Sequence, residues 1–367
     1  MKILVIGAGP VGLYVGCLLR KQGIECSILE RRTVRSTHSR SIGIHPPALR
    51  KLQRIGVAET LVSRGIPVRE GEAFSGKRPI GSLSFDSLPA PFPFVLSIPQ
   101  HITESILEDL FESMGEPVVR DVEVTGLEQV KGTIEVMGAD CVRRADRVIA
   151  CDGRRSMVRD LLGIGFIGRP YDAHFVMGDF PDTTSFGARA AIYLGRDGLV
   201  ESFPLPGDVR RWVARLKKPA DPGTERAHLL SAVAARTGFD LSGEPVLMTS
   251  SFTAERFEAE RFFVGGVALA GDAAHVISPI GGQGMNLGWM DADWLAEWCG
   301  RGAPPAELDT YESRRRSSFR KAARRSELNM SMGTPGPLFP LRQLAARTMI
   351  SGPFRKTFAR IFTMDNI

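Results

Sequence analysis

Residues 2–30 read KILVIGAGPVGLYVGCLLRKQGIECSILE, and they decide the fold. The opening KILVI is a short apolar run rich in β-branched residues, the pattern of a buried parallel strand. Gly7-Ala8-Gly9-Pro10-Val11-Gly12 follows, a G-x-G-x-x-G turn. Residues 11–21 favour a helix, and Gly23 ends it. Residues 24–29 form a second strand that closes on Glu30. Strand, turn, helix and strand fit into about 30 residues, the size of one βαβ unit. Each part has a task. Gly7 permits the tight turn, Gly9 lets a pyrophosphate approach the backbone, and Gly12 lets helix and strand pack closely. The helix N-terminus presents free N–H groups and a positive dipole end. Glu30, 18 residues past Gly12, is placed to accept hydrogen bonds from a ribose diol. The pattern predicts a dinucleotide site.

Rival readings of this stretch are weaker. Lys2 and the apolar residues to Leu19 imitate a secretory leader, but the glycines and proline at 7, 9, 10 and 12 break a continuous helix. A second G-x-G-x-x-G at 163–168 follows a helix end, not a strand, and no helix-forming stretch comes after it. It is read as coincidence, leaving one stable dinucleotide site.

The rest of the chain sets bounds. Its 367 residues predict two or three domains with a real core. With 43% hydrophobic and 24% charged residues, disorder, collagen and a whole-chain coiled coil are excluded. No later apolar run reaches the ~18 residues of a membrane span. Five scattered cysteines form no C-x-x-C pair, so no metal site is expected, and reduced thiols point to the cytoplasm. The net charge of +6 is uneven: residues 301–367 carry 13 Lys+Arg against 5 Asp+Glu. No nucleic-acid module accompanies that basic tail, so no nucleic-acid partner is expected.

Two further signals lie downstream. Residues 147–150 (RVIA) read as a strand ending in Cys151-Asp152-Gly153. Residues 262–270 (FFVGGVALA) read as another, ending in Gly271-Asp272-Ala273-Ala274-His275. Pro279-Ile280-Gly281-Gly282-Gln283-Gly284-Met285-Asn286 then opens a helix near 287–299. A carboxylate at a strand's C-terminal end suits a polar ligand group in an open α/β sheet. A glycine-rich turn before a helix adds a second patch of free N–H groups.

With these three motifs in order, the sequence resembles the FAD-dependent aromatic hydroxylases of the p-hydroxybenzoate hydroxylase type, the single-component flavoprotein monooxygenases. The resemblance covers about residues 1–325. It implies an α/β fold: a Rossmann-like FAD-binding domain, an inserted antiparallel-sheet substrate domain and a C-terminal helical segment. The expected pieces are 1–70, 97–175 and 255–300 for the FAD-binding domain, 71–96 and 176–254 for the substrate domain, and 301–367 for the helical segment. Gly7, Gly9, Pro10, Val11, Gly12, Glu30 and Arg31 would hold the ADP half of FAD. Arg40 would meet the pyrophosphate, where a guanidinium pairs well. Gln100 would lie near the flavin. Asp152 and Gly153 would serve FAD and reduced nicotinamide, and Gly271 and Asp272 the ribityl chain. Pro279 would lie along the ring, and the turn Gly282, Gly284, Met285 and Asn286 would aim N–H groups at its pyrimidine end. That turn has a physical logic, since a helix N-terminus stabilises the anionic reduced ring without a titrating side chain. His275 is read as structural, bonded to its own turn.

The implied activity is oxygenation by a flavin hydroperoxide, with NADPH or NADH as transient reductant, oxygen as co-substrate, and hydroxylation or epoxidation of an aromatic or other apolar small molecule. Alternatives are a reductase or dehydrogenase of the same fold, halogenase chemistry included, and a non-catalytic flavoprotein that shelters a reactive intermediate. Short alternating segments at 190–194, 199–203 and 211–216 read as the antiparallel sheet carrying the substrate pocket. Tyr193 is the one tyrosine placed to meet substrate there, joined by Pro279. No catalytic tyrosine carries over from the family. The thioredoxin-like domain that some members carry is not expected. In the tail, Phe354, Phe358 and Phe362 recur every four residues beside Arg355, Lys356 and Arg360. This stripe suggests packing on its own domain, on a second subunit as a homo-oligomer contact, or on a membrane surface.

Overall fold

The KILVI run forms β1 (Lys2–Ile6), hydrogen-bonded in parallel on both sides. Ile3, Leu4 and Val5 are fully buried, as expected for a strand covered on both faces. The helix α1 (Pro10–Lys21) and the strand β2 (Glu25–Glu30) complete the unit. The computed structural model describes the chain except residues 36, 38–40, 140, 333, 335–342, 345–346, 349–351, 353–354 and 366–367.

β1 lies inside a six-stranded sheet. The order is Phe263–Val264, Val267–Leu269, Arg147–Ala150, β1, β2 and Val119–Arg120. All neighbours are parallel except the first pair. That exception corrects the sequence reading of 262–270 as one strand. Gly265 sits at φ +57° and folds the run into a hairpin.

A second, eight-stranded sheet stands beside the first. Its order is His275–Val276, Met248–Ala259, Phe166–Pro181, Val209–Leu216, Gly198–Leu205, Ala190–Gly195, Glu70–Ser75 and Arg78–Ser84. It is antiparallel except where Ala190–Gly195 meets Glu70–Ser75. The segment boundaries expected at 175 and 254 fall inside its two long strands, which run continuously across them. One face of this sheet is covered by the helix Glu225–Thr237, over an apolar layer that includes Val176, Trp212, Leu229 and Val233. The other face is turned toward the six-stranded sheet.

Helices join the two units. Gln283–Gly300 packs along α1, and the indole Nε1 of its Trp289 donates to the Pro10 carbonyl at 2.9 Å. At Gly288 a Cβ would lie 2.5 Å from the Val11 side chain and 3.2 Å from the Gly271 Cα, so only glycine admits this approach. The long helix Leu308–Met332 packs against Gln283–Gly300. The tail helix Arg355–Phe362 lies on the edge of the eight-stranded sheet near Leu83 and Phe85. Among the described residues, no helix is long and apolar enough to cross a membrane.

Candidate active site

A cavity of about 800 Å³ opens between the two sheets. One end is built from the first βαβ unit. Gly7, Gly9, Pro10, Val11, Glu30 and Arg31 line it. Gly12 does not; it sits behind the turn, where a Cβ would fall 1.9 Å from the Gly7 carbonyl oxygen. At Gly9 a Cβ would meet no protein atom within 4 Å, so the backbone there is open to a ligand. α1 begins at that point, with Gly9 as its N-cap and Pro10 in its first turn.

Glu30 is more occupied than the sequence suggested. Its Oε2 accepts the Ala8 N–H at 2.7 Å, and its Oε1 accepts the Arg32 N–H and Nε at 3.0 and 2.9 Å. Burial alone would raise this carboxyl; the bonds from Arg32 and Ala8 outweigh burial and hold it below the usual range. A ribose diol would share Glu30 with Arg32. Arg40 lies outside the described residues. Gln100 lines the cavity, and its Nε2 donates to Glu104 at 2.8 Å.

The middle of the cavity carries the two acidic motifs. Asp152 follows the strand Arg147–Ala150, beside Gly153. Its Oδ2 accepts the Val158 N–H at 3.1 Å, capping the short helix Met157–Leu161, while its buried Oδ1 has no partner among the described residues. Burial raises this carboxyl. Asp272 faces the cavity from the turn after Val267–Leu269 and makes no hydrogen bond with any described residue. Enclosure by the surrounding walls raises it, with His275 and Arg154 pulling the other way. Gly271 does not line the cavity; a Cβ there would lie 3.1 Å from the Val11 side chain.

His275 is structural, but its ring bonds the helix Gln283–Gly300 and not its own turn, which corrects the expectation. Its Nε2 meets Asp291 Oδ2 at 2.8 Å; the same oxygen accepts the Gly271 N–H at 3.0 Å, and Oδ1 accepts Arg315 Nε at 2.6 Å. Asp291 is fully buried, which by itself would raise it; His275 and Arg315 outweigh this and hold it low. This buried network fixes the Gly271-Asp272 turn against two helices.

The far end of the cavity holds Pro279, Gly281, Gly282, Gly284 and Met285, at the start of the helix Gln283–Gly300. N–H groups in a first helical turn have no acceptor within the helix. Asn286 points away and acts as a brace. Its Oδ1 accepts the His45 N–H at 2.8 Å, and its Nδ2 donates to the carbonyls of Gly43 and Gly282 at 3.0 and 2.6 Å. His45 Nε2 lies 2.9 Å from the Gly281 carbonyl. Burial lowers this imidazole to about 4, so it is neutral and donates through Nε2.

The remaining wall is the inner face of the eight-stranded sheet, largely apolar, with Ile192, Leu194, Leu199 and Val213 among its residues. Tyr193 is not among them, which corrects the sequence expectation. Side chains alternate along a strand, so lining by Ile192 and Leu194 turns Tyr193 to the opposite face. There it stacks on Phe74 at 4.6 Å within the layer under Glu225–Thr237. The sequence reading passed over Glu201, which lines the cavity between Leu199 and Phe203. A single carboxylate at an inward position of an alternating apolar strand was the signal for it.

The tail closes one side. Phe358 and Phe362 line the cavity, and Phe362 stacks on Phe85 at 5.9 Å. Asp365 pairs with Arg50 at 2.5 Å. The described part of the aromatic stripe is therefore occupied within the chain, the first of the three destinations expected for it; Phe354 lies outside the described residues. Arg355, Lys356 and Arg360 are exposed.

The site fits FAD. It offers an open glycine turn at a helix N-terminus, a second helix N-terminus at the far end, and two carboxyl groups, Asp152 and Asp272, with oxygens that no donor among the described residues uses. Comparison with known proteins agrees. The chain belongs to the FAD binding domain family, whose model matches residues 1–326. It is 32% identical to rifampicin monooxygenase of Streptomyces venezuelae over 94% of this chain and 74% of that protein. Among solved structures it resembles the OxyS anhydrotetracycline hydroxylase of Streptomyces rimosus, with a TM-score of 0.82 and 29% identity over 100% of this chain and 76% of that one. The p-nitrophenol 4-monooxygenase PnpA of Pseudomonas putida shares the fold, with a TM-score of 0.89 and 22% identity over 99% and 96% of the two chains. The chain is a flavin-dependent monooxygenase with FAD as cofactor and NAD(P)H as the reductant typical of the family.

Proposed function

We propose that this enzyme hydroxylates a multi-ring aromatic small molecule, held between the flavin site and the inner face of the eight-stranded sheet. The observation that carries this reading is the continuity of the cavity. The phosphate-loop residues and the apolar sheet wall share one space of about 800 Å³, closed by Phe358 and Phe362. Rifampicin and anhydrotetracycline, named for the relatives, are multi-ring aromatic compounds in keeping with such a wall.

Bound FAD would supply the transfer of two electrons from NAD(P)H and the activation of oxygen. The protein's part is to bind, orient and exclude water. In this reading Gly7, Gly9, Pro10, Val11 and the α1 N-terminus hold the pyrophosphate, and Glu30 and Arg31 hold the adenosine side. Asp272 accepts hydrogen bonds from the ribityl hydroxyls. Asp152 serves the same cofactor through its unpartnered oxygen. Pro279 and the N–H groups of Gly284 and Met285 face the ring, where the helix dipole favours negative charge. The apolar sheet wall and the two tail phenylalanines keep water from the reacting centre. Reduced thiols and the cofactor requirement support a cytoplasmic location.

The test uses the FAD-loaded enzyme, NADPH and ¹⁸O₂ with a panel of one-ring to four-ring phenols. Faster NADPH oxidation with three-ring and four-ring members, and one labelled oxygen atom in the product, is the expected result. Unlabelled product, or stimulation by one-ring phenols alone, contradicts the reading.

A further inference from the structure

Glu201 is out of keeping with its surroundings. It sits on the strand Gly198–Leu205, directly opposite Ile192 on one neighbouring strand and Val213 on the other. All three residues line the cavity, with Leu199 and Phe203 before and after Glu201. Glu201 is only 8% exposed, yet it makes no hydrogen bond and no ion pair with any described residue. Other charged residues of this sheet that line the cavity are already engaged. Arg211 is clamped by both oxygens of Asp179, at 2.7 and 2.8 Å, and Glu72 pairs with Arg189. Burial, with no charge to offset it, pushes the Glu201 carboxyl up to about 7.

A buried carboxyl without a partner is costly, and an apolar residue would fill the same place without that cost. The wall on either side is apolar, with Leu199, Phe203, Ile192 and Val213, so a partner has to come from the cavity. A neutral donor satisfies the carboxyl without stranding a second charge in an apolar wall, which a cation would do. We propose that Glu201 recognises the substrate by accepting a hydrogen bond from a ring hydroxyl, phenolic or enolic, and so fixes which ring carbon faces the flavin. This rests on the reading of the sheet wall as the substrate side of the cavity, and it names the residue that would select among aromatic substrates by the hydroxyl they carry. A site built to bond a hydroxyl discriminates strongly against the analogue lacking it.

The test is calorimetric titration of the FAD-loaded protein with 2-hydroxyanthraquinone and with 2-methoxyanthraquinone, which lacks the donor. The wild type should bind the phenol at least about tenfold more tightly than the ether. In E201L, which removes the carboxyl and should fold at least as well, the two should bind within about twofold of each other. E201Q keeps an acceptor and should retain part of the preference. Equal binding by the wild type, a tenfold preference surviving in E201L, or no binding of the phenol at all would overturn the proposal. The readout needs neither NADPH nor oxygen. A phenol preference lost in E201L, without labelled product, would count against the monooxygenation scheme alone; labelled product with an unchanged preference in E201L would count against Glu201 alone.

Discussion

Asp272 and Glu201 are both carboxyl groups that line one cavity and have no hydrogen-bond partner among the described residues. Their environments separate their roles. Asp272 has His275 and Arg154 near enough to favour its charge, whereas Glu201 has only burial. In the proposed scheme Asp272 bonds the cofactor. Asp272→Ala should weaken FAD binding by about tenfold or more, since hydrogen bonds to charged groups contribute about 1.5–3 kcal/mol. Flavin retained per protein after gel filtration checks it, and full occupancy would refute the role. Glu201 also marks the pH dependence of stability. Its carboxyl moves from an ordinary 4.5 to about 7 in the fold. Between those values the native state holds a proton that the unfolded chain releases. Stability therefore falls as pH rises from 4.5 to 7, by up to roughly 3 kcal/mol, and is level above that. On the same sheet Arg211 and Glu72 are tied in their own pairs and do not reverse the sign. Urea denaturation of the wild type and E201L at pH 5 and pH 7.5 tests this. E201L should gain more on the wild type at the higher pH than at the lower.

At the scale of elements, the sequence was most legible where structure is local. The strand, turn and helix at 2–21 follow from glycine spacing and an apolar run, and both acidic turns lie at strand ends as read. Legibility failed where facing or partnership depends on distant residues. Tyr193 and Ile192 are neighbours in sequence, and only the register with Glu70–Ser75 and Gly198–Leu205 decides which one meets the cavity. The hairpin inside 262–270 turned on a positive φ at Gly265, invisible in an otherwise strand-like run. The tail stripe showed its period but not its destination, because Leu83 and Phe85 lie more than 250 residues earlier. Two predictions belong here. Gly12→Ala would drive a Cβ against the backbone oxygen of Gly7, an atom that cannot swing aside, and should cost about 2 kcal/mol or more together with FAD affinity. Thermal melts with and without FAD check it. Phe362→Ala removes a stacked ring from the cavity wall and should admit water. Its expected signature is NADPH oxidation diverted to hydrogen peroxide, with less hydroxylated product per NADPH consumed.

At the scale of the molecule, two sheets made by different rules share one cavity. The parallel sheet ends in turns that offer backbone N–H groups and carboxylates, and the eight-stranded sheet offers a largely apolar wall bearing Glu201, a carboxyl that no described residue pairs. The buried Asp291 joins them: it ties the Gly271-Asp272 turn, His275 on the eight-stranded sheet and Arg315 on the long helix. Asp291→Ala would leave a buried arginine and histidine without their common partner, a loss of about 3–5 kcal/mol for a broken buried ion pair. The central claim is that this whole assembly is a flavin-dependent oxygenase. The visible spectrum of the purified protein, recorded before and after NADPH is added in air, tests it most directly. The account predicts a flavin spectrum that bleaches on reduction and returns as oxygen is consumed; a colourless protein that cannot be reconstituted with FAD would contradict it.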